Sequence, residues 1–345
     1  MERVLQSRLV LVAWAPSSPR FDDLAPQLNG RVILLNILFG KKWAAPIRYL
    51  LLALKTFSLL SKERPNNVLA QNPPIFCPLV LVVASRIIRF KLIVDHHAVW
   101  SIKSIRQPFL SQLIATFERF VVRNASANTS ANENWTRMLR TKGARDVFTY
   151  HDFVPRQKTS RTERRISVQR TLPVHSFLVI AAHGGHPEEL LEEEVSSVQR
   201  LEGYVLAITG RPEKMRQRLA RLTPSRNVIY AGYLNQADYD ALKGEADAAL
   251  SLSKEPNTVP HAIHEFLSIR VPTITLKDEL LRSIFDGAIV EAVDARPDSI
   301  RDLLRMTCEN AEFRQKVLES IDRNYERRSK MHEDEISRLT RIIEK

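Results

Sequence analysis

Hydrophobic and polar positions follow two periods along the chain. Short apolar runs bounded by turn residues predict strands over Arg8–Trp14, Arg31–Asn36, Asn67–Gln71 and Lys91–Asp95. Between them, stretches with apolar residues three and four apart predict helices over Trp43–Lys62, Pro74–Arg89 and Gln107–Arg123. The pattern breaks in PRQKTSRTERRISVQRTLP, a polar and basic segment with few apolar anchors, which reads as a linker. It then restarts, with strands over Phe177–Ala182, Val205–Thr209, Asn227–Ala231, Ala248–Leu252, Thr273–Thr275 and Ala288–Ala292. Helices are predicted over Pro212–Leu222, Asn235–Lys243, Pro260–Ile269, Asp298–Glu309, Glu312–Lys330 and Glu333–Ile343. Such alternation predicts an α/β fold of two Rossmann-like, doubly wound domains facing across a cleft. The domains cover 1–154 and 174–330, joined by the linker 155–173 and closed by a C-terminal helix, 331–345.

Composition and charge narrow this picture. A length of 345 residues fits two domains, and neither internal repeats nor low-complexity tracts stand out. The longest apolar stretch, Ile47–Leu60, is interrupted by Arg48 and Lys55 and is short of the roughly 18–20 residues of a spanning helix. With no clear signal peptide and two widely spaced cysteines, Cys77 and Cys308, the reading is a cytoplasmic protein with reduced thiols. The net charge of +12 is uneven: residues 1–150 hold 21 Lys/Arg and 8 Asp/Glu, or +13, leaving 12 − 13 = −1 for the rest. A basic first half suits a polyanionic partner such as anionic lipid headgroups, nucleic acid or a phosphorylated substrate, and the apolar, basic-flanked helix 43–64 suits packing on a sheet with one edge meeting an anionic membrane surface. No zinc pattern, helix-turn-helix signal or aromatic-basic RNA motif supports nucleic acid.

The densest candidate chemistry lies in SLSKEPNTVPHAIHEFLSIRVPTI (251–274). A buried strand runs into a loop holding Lys254, Glu255 and Asn257; Asn257 or Thr258 caps a helix and Pro260 suits its first turn. A helix start of this kind receives phosphates, and Glu265 on the same helix can accept both hydroxyls of a ribose. Pro260, Glu265, Phe266 and Pro272 resemble the C-terminal signature of B-fold glycosyltransferases of family 4, with Ala262 and Arg270 standing where one branch has Lys and Gly. AITGRP (207–212) and NVIYAGYLNQADYDALKGEADAALSL (227–252) follow that family's order of elements. VLAQNPP (68–74) and IVDHHAVW (93–100) are similar to turns of the chitobiosyl-lipid β-mannosyltransferases. The resemblance implies a nucleotide-sugar donor linked to UDP or GDP, a lipid-linked or growing polysaccharide acceptor, and chemistry without a cofactor or bound metal.

Candidate residues follow. Asp95, His96 and His97 end a central strand, where a histidine can act as base or touch the transferred sugar. Gly184 and Gly185, in the turn His183-Gly184-Gly185-His186, offer backbone N–H groups to the diphosphate, since the Arg that many family-4 enzymes carry there is missing. Arg211, Lys254, Thr258, His261 and Glu265 complete the donor side; Arg20 and Asn72 are placed on the acceptor side. A sugar-nucleotide epimerase of the same fold, or a non-catalytic nucleotide-sugar-binding partner, are the alternative readings.

Overall fold

The computed structural model describes residues 9–38, 44–97, 107–156, 176–211, 215, 218–222, 225–255 and 258–344. They form two compact units, Met1–Asp152 with Met331–Lys345, and Phe153–Lys330. The linker expected over 155–173 lies, from residue 157 onward, outside the described residues.

Unit 1 holds β1 (Leu9–Ala13), β2 (Arg31–Leu34), β3 (Asn67–Asn72), β4 (Lys91–His96), β5 (Ala127–Ser130) and β6 (Val147–Thr149). They make one parallel sheet in the order β2-β1-β3-β4-β5-β6. Its helices are α1 (Pro19–Gln27), α2 (Ala45–Glu63), α3 (Phe76–Ile88), α4 (Pro108–Asn124) and α5 (Glu133–Thr141). Strands covered on both faces are apolar at every position, as in the LVLVA of β1. The two-residue period still sorts them: Val10 and Val12 join a core with Leu52, Leu60, Leu81 and Val121 of α2–α4, whereas Leu9 and Leu11 pack with Phe21 and Leu24 of α1.

Unit 2 holds β7 (Phe177–His183), β8 (Tyr204–Gly210), β9 (Val228–Gly232), β10 (Ala248–Leu250), β11 (Thr273–Leu276) and β12 (Val290–Ala292), with order β9-β8-β7-β10-β11-β12. All are parallel. The helices are α6 (Leu191–Val198), α7 (Gln236–Glu245), α8 (His261–Ser268), α9 (Glu279–Phe285), α10 (Pro297–Glu309) and α11 (Ala311–Glu344). The chain walks outward from β7 to β9, then returns to β10 on the other side. The carboxyl ends of β7 and β10 therefore flank a topological switch point, where sheets of this kind bind ligands.

Several elements differ from the sequence expectation. The helix predicted over Pro212–Leu222 falls partly outside the described residues. The two C-terminal helices are one, α11, because no Gly or Pro interrupts 311–344. Its Val317 and Ile321 belong to the core of unit 2, and its Leu339 and Ile343 to that of unit 1. Helices α1 and α5 and strands β5 and β6 were not anticipated, while α6 and α9 fill gaps between strands where helices were expected without stated bounds. Strand β5 reads Ala-Asn-Thr-Ser, which has no apolar run, yet Asn128, Thr129 and Ser130 are buried and hydrogen-bonded. Asn132 and Asp278, which accept the N–H groups of Trp135 and Leu281, were the overlooked start signals of α5 and α9. Among the described residues no helix is long and apolar enough to cross a membrane.

Candidate functional site

The turn after β7 is built around a carboxylate. Glu189 accepts the backbone N–H groups of Gly184 at 2.8 Å and of Gly185 and His186 at 2.9 Å each. Three successive amides pointing at one centre make an anion-binding nest. Gly185 has a φ of +78°, which favours glycine, and a Cβ on Gly184 would meet the His186 ring at 2.7 Å. Beneath the nest, His183 lies 3.3 Å from Glu189 and 2.6 Å from the buried Glu194. Burial works against the imidazolium, but Glu194 and Glu189 outweigh it and raise His183 to about 10. Burial likewise opposes the Glu189 carboxylate, yet His183 and the amides bring it down to about 2. Arg218 braces the turn from behind, donating to His186 O at 2.9 Å and Glu189 O at 2.6 Å.

This turn is stitched to the end of β10. Glu194 accepts Leu252 N at 3.1 Å, Lys254 N donates to Glu188 O at 3.0 Å, and Glu189 bridges to Ser253. Gly184, Gly185 and Lys254 are thus brought to the switch point of unit 2. Lys254 is exposed, with Nζ 3.4 Å from Glu193. Thr258 is half-buried, His261 is exposed, and Asn257 lies outside the described residues. Arg211 is exposed, its guanidinium 5.3 Å from the ring centre of Tyr233. Glu265 is held on the α7 side: Tyr239 donates to it at 3.0 Å, and Lys243 Nζ lies 3.7 Å away. Lys243 is buried, with Asp240 at 2.8 Å and the Tyr239 ring at 4.4 Å. Sequence reasoning missed Glu189, Glu194, Tyr239 and Lys243. The acidic run directly after the paired glycines was the readable signal for the first two.

In unit 1 the histidine pair divides. His96 is buried, with Nδ1 3.0 Å from Asn72 Nδ2 and Nε2 3.0 Å from Asn128 Oδ1. Asn72 Nδ2 can only donate, so Nδ1 accepts and Nε2–H donates to Asn128, which describes a neutral ring. Burial pulls its pKa below the ordinary histidine value, as the neutral form requires. Asn72, expected on the acceptor side, is itself buried in this arrangement. His97 is a third exposed, and its Nδ1 lies 4.0 Å from Asp152.

Asp95 and Arg20 form a buried pair. Arg20 Nε and Nη2 reach the Asp95 oxygens at 2.8 and 3.1 Å, and Thr129 donates to the same carboxylate at 2.6 Å. Burial opposes the Asp95 charge, but Arg20 prevails and the pKa falls below the usual carboxylate value. Arg20 also bonds Asp152 and donates to Tyr150 O at 2.8 Å, over whose ring it lies. With its side chain 6% exposed, Arg20 ties α1, β4 and the segment after β6 together.

The outer face of α2–α4 is apolar and basic. Ile47, Leu50 and Leu54 are 54–60% exposed, Phe109 is 78%, and Leu51, Phe57, Val83, Ile87, Leu110 and Leu113 are also exposed. Tyr49, Phe76 and Phe117 touch in a row across the three helices, the first pair tilted and the second edge-on. The helices hold Arg48, Lys55, Lys62, Arg86, Arg119 and Arg123; their acids are Glu63, paired with Arg31, and Glu118, paired with Lys142. Lys41, Lys42 and Trp43 lie outside the described residues.

No protein-family model and no curated protein matches the chain. Solved structures match its fold. Anabaena Alr3699/HepE in complex with UDP and glucose has a TM-score of 0.75 at 12% identity, covering 97% of this chain and 99% of that one. Sucrose-phosphate synthase from Thermosynechococcus elongatus gives 0.75 at 11%, covering 93% and 94%. A putative UDP-N-acetylglucosamine 2-epimerase from Listeria monocytogenes gives 0.62 at 13%, covering 91% of each. The fold is the glycosyltransferase B fold, with two Rossmann-like units.

Proposed function

We propose that the protein is a glycosyltransferase that moves a hexose-type sugar from a UDP- or GDP-linked donor to a lipid-linked or growing saccharide at the cytoplasmic membrane face. The observation that carries this reading is the amide nest at the switch point of unit 2, an anion site where such a sheet receives its ligand. The match to a structure holding UDP and glucose supports the same donor class. The family-4 likeness of residues 227–274 belongs to this proposal.

In this reading the diphosphate lies at Gly184 and Gly185, with Lys254, Arg211 and His261 offsetting its charge and Thr258 at the start of α8. Glu265 binds the ribose and exchanges its bond from Tyr239 for the nucleotide hydroxyls. In unit 1, His97 serves as the base. The acceptor oxygen bonds to the anomeric carbon as the bond from that carbon to the phosphate oxygen breaks. The diphosphate leaves with the electron pair, and the acceptor proton passes to His97. Neither a cofactor nor a metal takes part. The basic, apolar face of α2–α4 supports an anionic membrane as the place where the acceptor is met.

A thermal-shift screen of UDP- and GDP-sugars, followed by mass analysis of products with a lipid-linked saccharide, tests the proposal. Transfer of one hexose is the expected result, with nucleotide affinity lowered in Glu265→Ala. A donor epimerised without transfer would assign the epimerase reading instead. Binding without any turnover would assign the non-catalytic one.

A further inference from the structure

The nest at Gly184–His186 is filled by the protein's own anion. Each of its three amides donates to Glu189 at 2.8–2.9 Å, the geometry of strong charge-assisted bonds. A carboxylate and a phosphate present the same kind of oxygen to such amides, so a nest shaped for one accepts the other. Gly184 and His186 are exposed and Gly185 is half-buried, so the nest opens to solvent rather than into the core.

We propose that Glu189 is a built-in competitor for the diphosphate site, holding the nest until a phosphate of the ligand displaces it. The inference rests on the donor reading for the identity of the ligand and adds to it how access to the site is set. Three features of the fold favour exchange over a permanent tie. Arg218 holds the backbone through the carbonyls of His186 and Glu189, not through the three amides, so the turn keeps its shape when the carboxylate leaves. His183 remains anchored by Glu194 at 2.6 Å when Glu189 leaves. A diphosphate also carries more charge than a single carboxylate, so it gains more from the same amides and imidazolium. While Glu189 occupies the nest, the competent fraction is small and the apparent affinity falls by that fraction.

The experiment compares the full-length parent, Glu189→Ala and Glu189→Gln by calorimetric titration with UDP, GDP and inorganic pyrophosphate. Amide shifts of Gly184 and Gly185 are followed in parallel by NMR on glycine-labelled protein. Removal of the competing carboxylate is expected to tighten pyrophosphate and nucleotide binding on the order of tenfold in Glu189→Ala. The gain should be smaller in Glu189→Gln, which keeps an acceptor but not the charge, and the Gly184 and Gly185 amides should shift on titration. If Glu189→Ala fails to fold, Glu189→Gln reads the same effect.

Equal or weaker binding in a folded Glu189 variant overturns the proposal. When that happens while the parent binds UDP or GDP, the donor reading stands and only the competitor is lost. Tighter pyrophosphate binding in the variants, with no nucleotide bound by any form, keeps the competitor and removes the nucleotide-sugar reading.

Discussion

His183 and Glu194 meet at 2.6 Å inside unit 2, and that contact joins the two strands flanking its switch point. His183 ends β7, and Glu194 carries the bond onward to Leu252 N after β10. Removing one member of a buried charged pair strands the other, at a cost of about 3–5 kcal/mol. Glu194→Ala should therefore lower stability by roughly that amount, read by urea unfolding. Glu189→Ala should cost less, because Glu189 is partly solvated and leaves the Glu194 contact in place. Equal losses from the two would show that the buried pair is not the stronger tie.

A second histidine gives a pH signature. His151 Nδ1 lies 2.6 Å from Glu335 on α11, and its Nε2 lies 3.1 Å from Glu133 on α5. Burial lowers its pKa, but the two carboxylates more than compensate and bring it to about 9. A folded-state value above the ordinary one means that the folded form binds the proton more tightly. The added stability is thus fully present below about pH 6.5 and lost as pH rises through about 9. The parent should lose unfolding free energy across that window more steeply than His151→Asn. Parallel pH profiles would remove the contact from the stability of unit 1.

The paired histidines should separate by assay. His96 is a saturated core residue, so His96→Ala leaves Asn72 and Asn128 without their partner and should destabilise by about 1–3 kcal/mol. His97 is partly exposed beside Asp152, so His97→Ala should keep the parent's melting temperature and lose transfer by about 10²–10⁴-fold. Asp95→Asn should behave like His96→Ala, since it unbalances the buried Arg20. A stable, fully active His97→Ala would take this site out of the mechanism.

How much of this was legible in the sequence depended on what each residue was doing. The strands at the centres of both sheets announced themselves because burial on two faces leaves an unbroken apolar run. Strand β5 did not, because its Asn128 and Thr129 are spent on His96 and Asp95, and paired polar groups look like a loop in sequence. Gly184 and Gly185 were readable as a turn that offers backbone N–H groups to an anion. The occupant of that turn was not, because nothing in the spacing distinguishes a glutamate that caps its own nest from one that points to solvent. Arg20 was legible as a cation after β1 but not as a buried one. Its partners Asp95, Tyr150 and Asp152 come from distant segments that only the fold brings together.

The outer face of α2–α4 is expected to dock on an anionic membrane. Large exposed apolar patches on monomeric proteins mark surfaces that meet a partner or a membrane. Leu50 and Leu54 on α2, Val83 and Ile87 on α3 and Phe109 and Leu113 on α4 are all exposed, and the only acids on these helices are already paired. Apolar side chains with surrounding lysines and arginines suit a bilayer surface of anionic lipid, each cation adding on the order of 1 kcal/mol near the membrane. Co-sedimentation with vesicles should therefore rise with the anionic lipid fraction and fall with salt, whose screening acts on the charges. Leu50→Ser, Leu54→Ser and Phe109→Ser combined should weaken binding without changing its salt dependence, because they remove insertion and leave the charges. Neutralising Lys55, Lys62 and Arg48 with Gln should flatten the salt dependence instead. A second copy of the chain as the occupant would appear as a concentration-dependent dimer with no vesicle binding. Equal binding to neutral and anionic vesicles would sink the electrostatic half of the idea, since the lysines and arginines of these helices would then contribute nothing to docking.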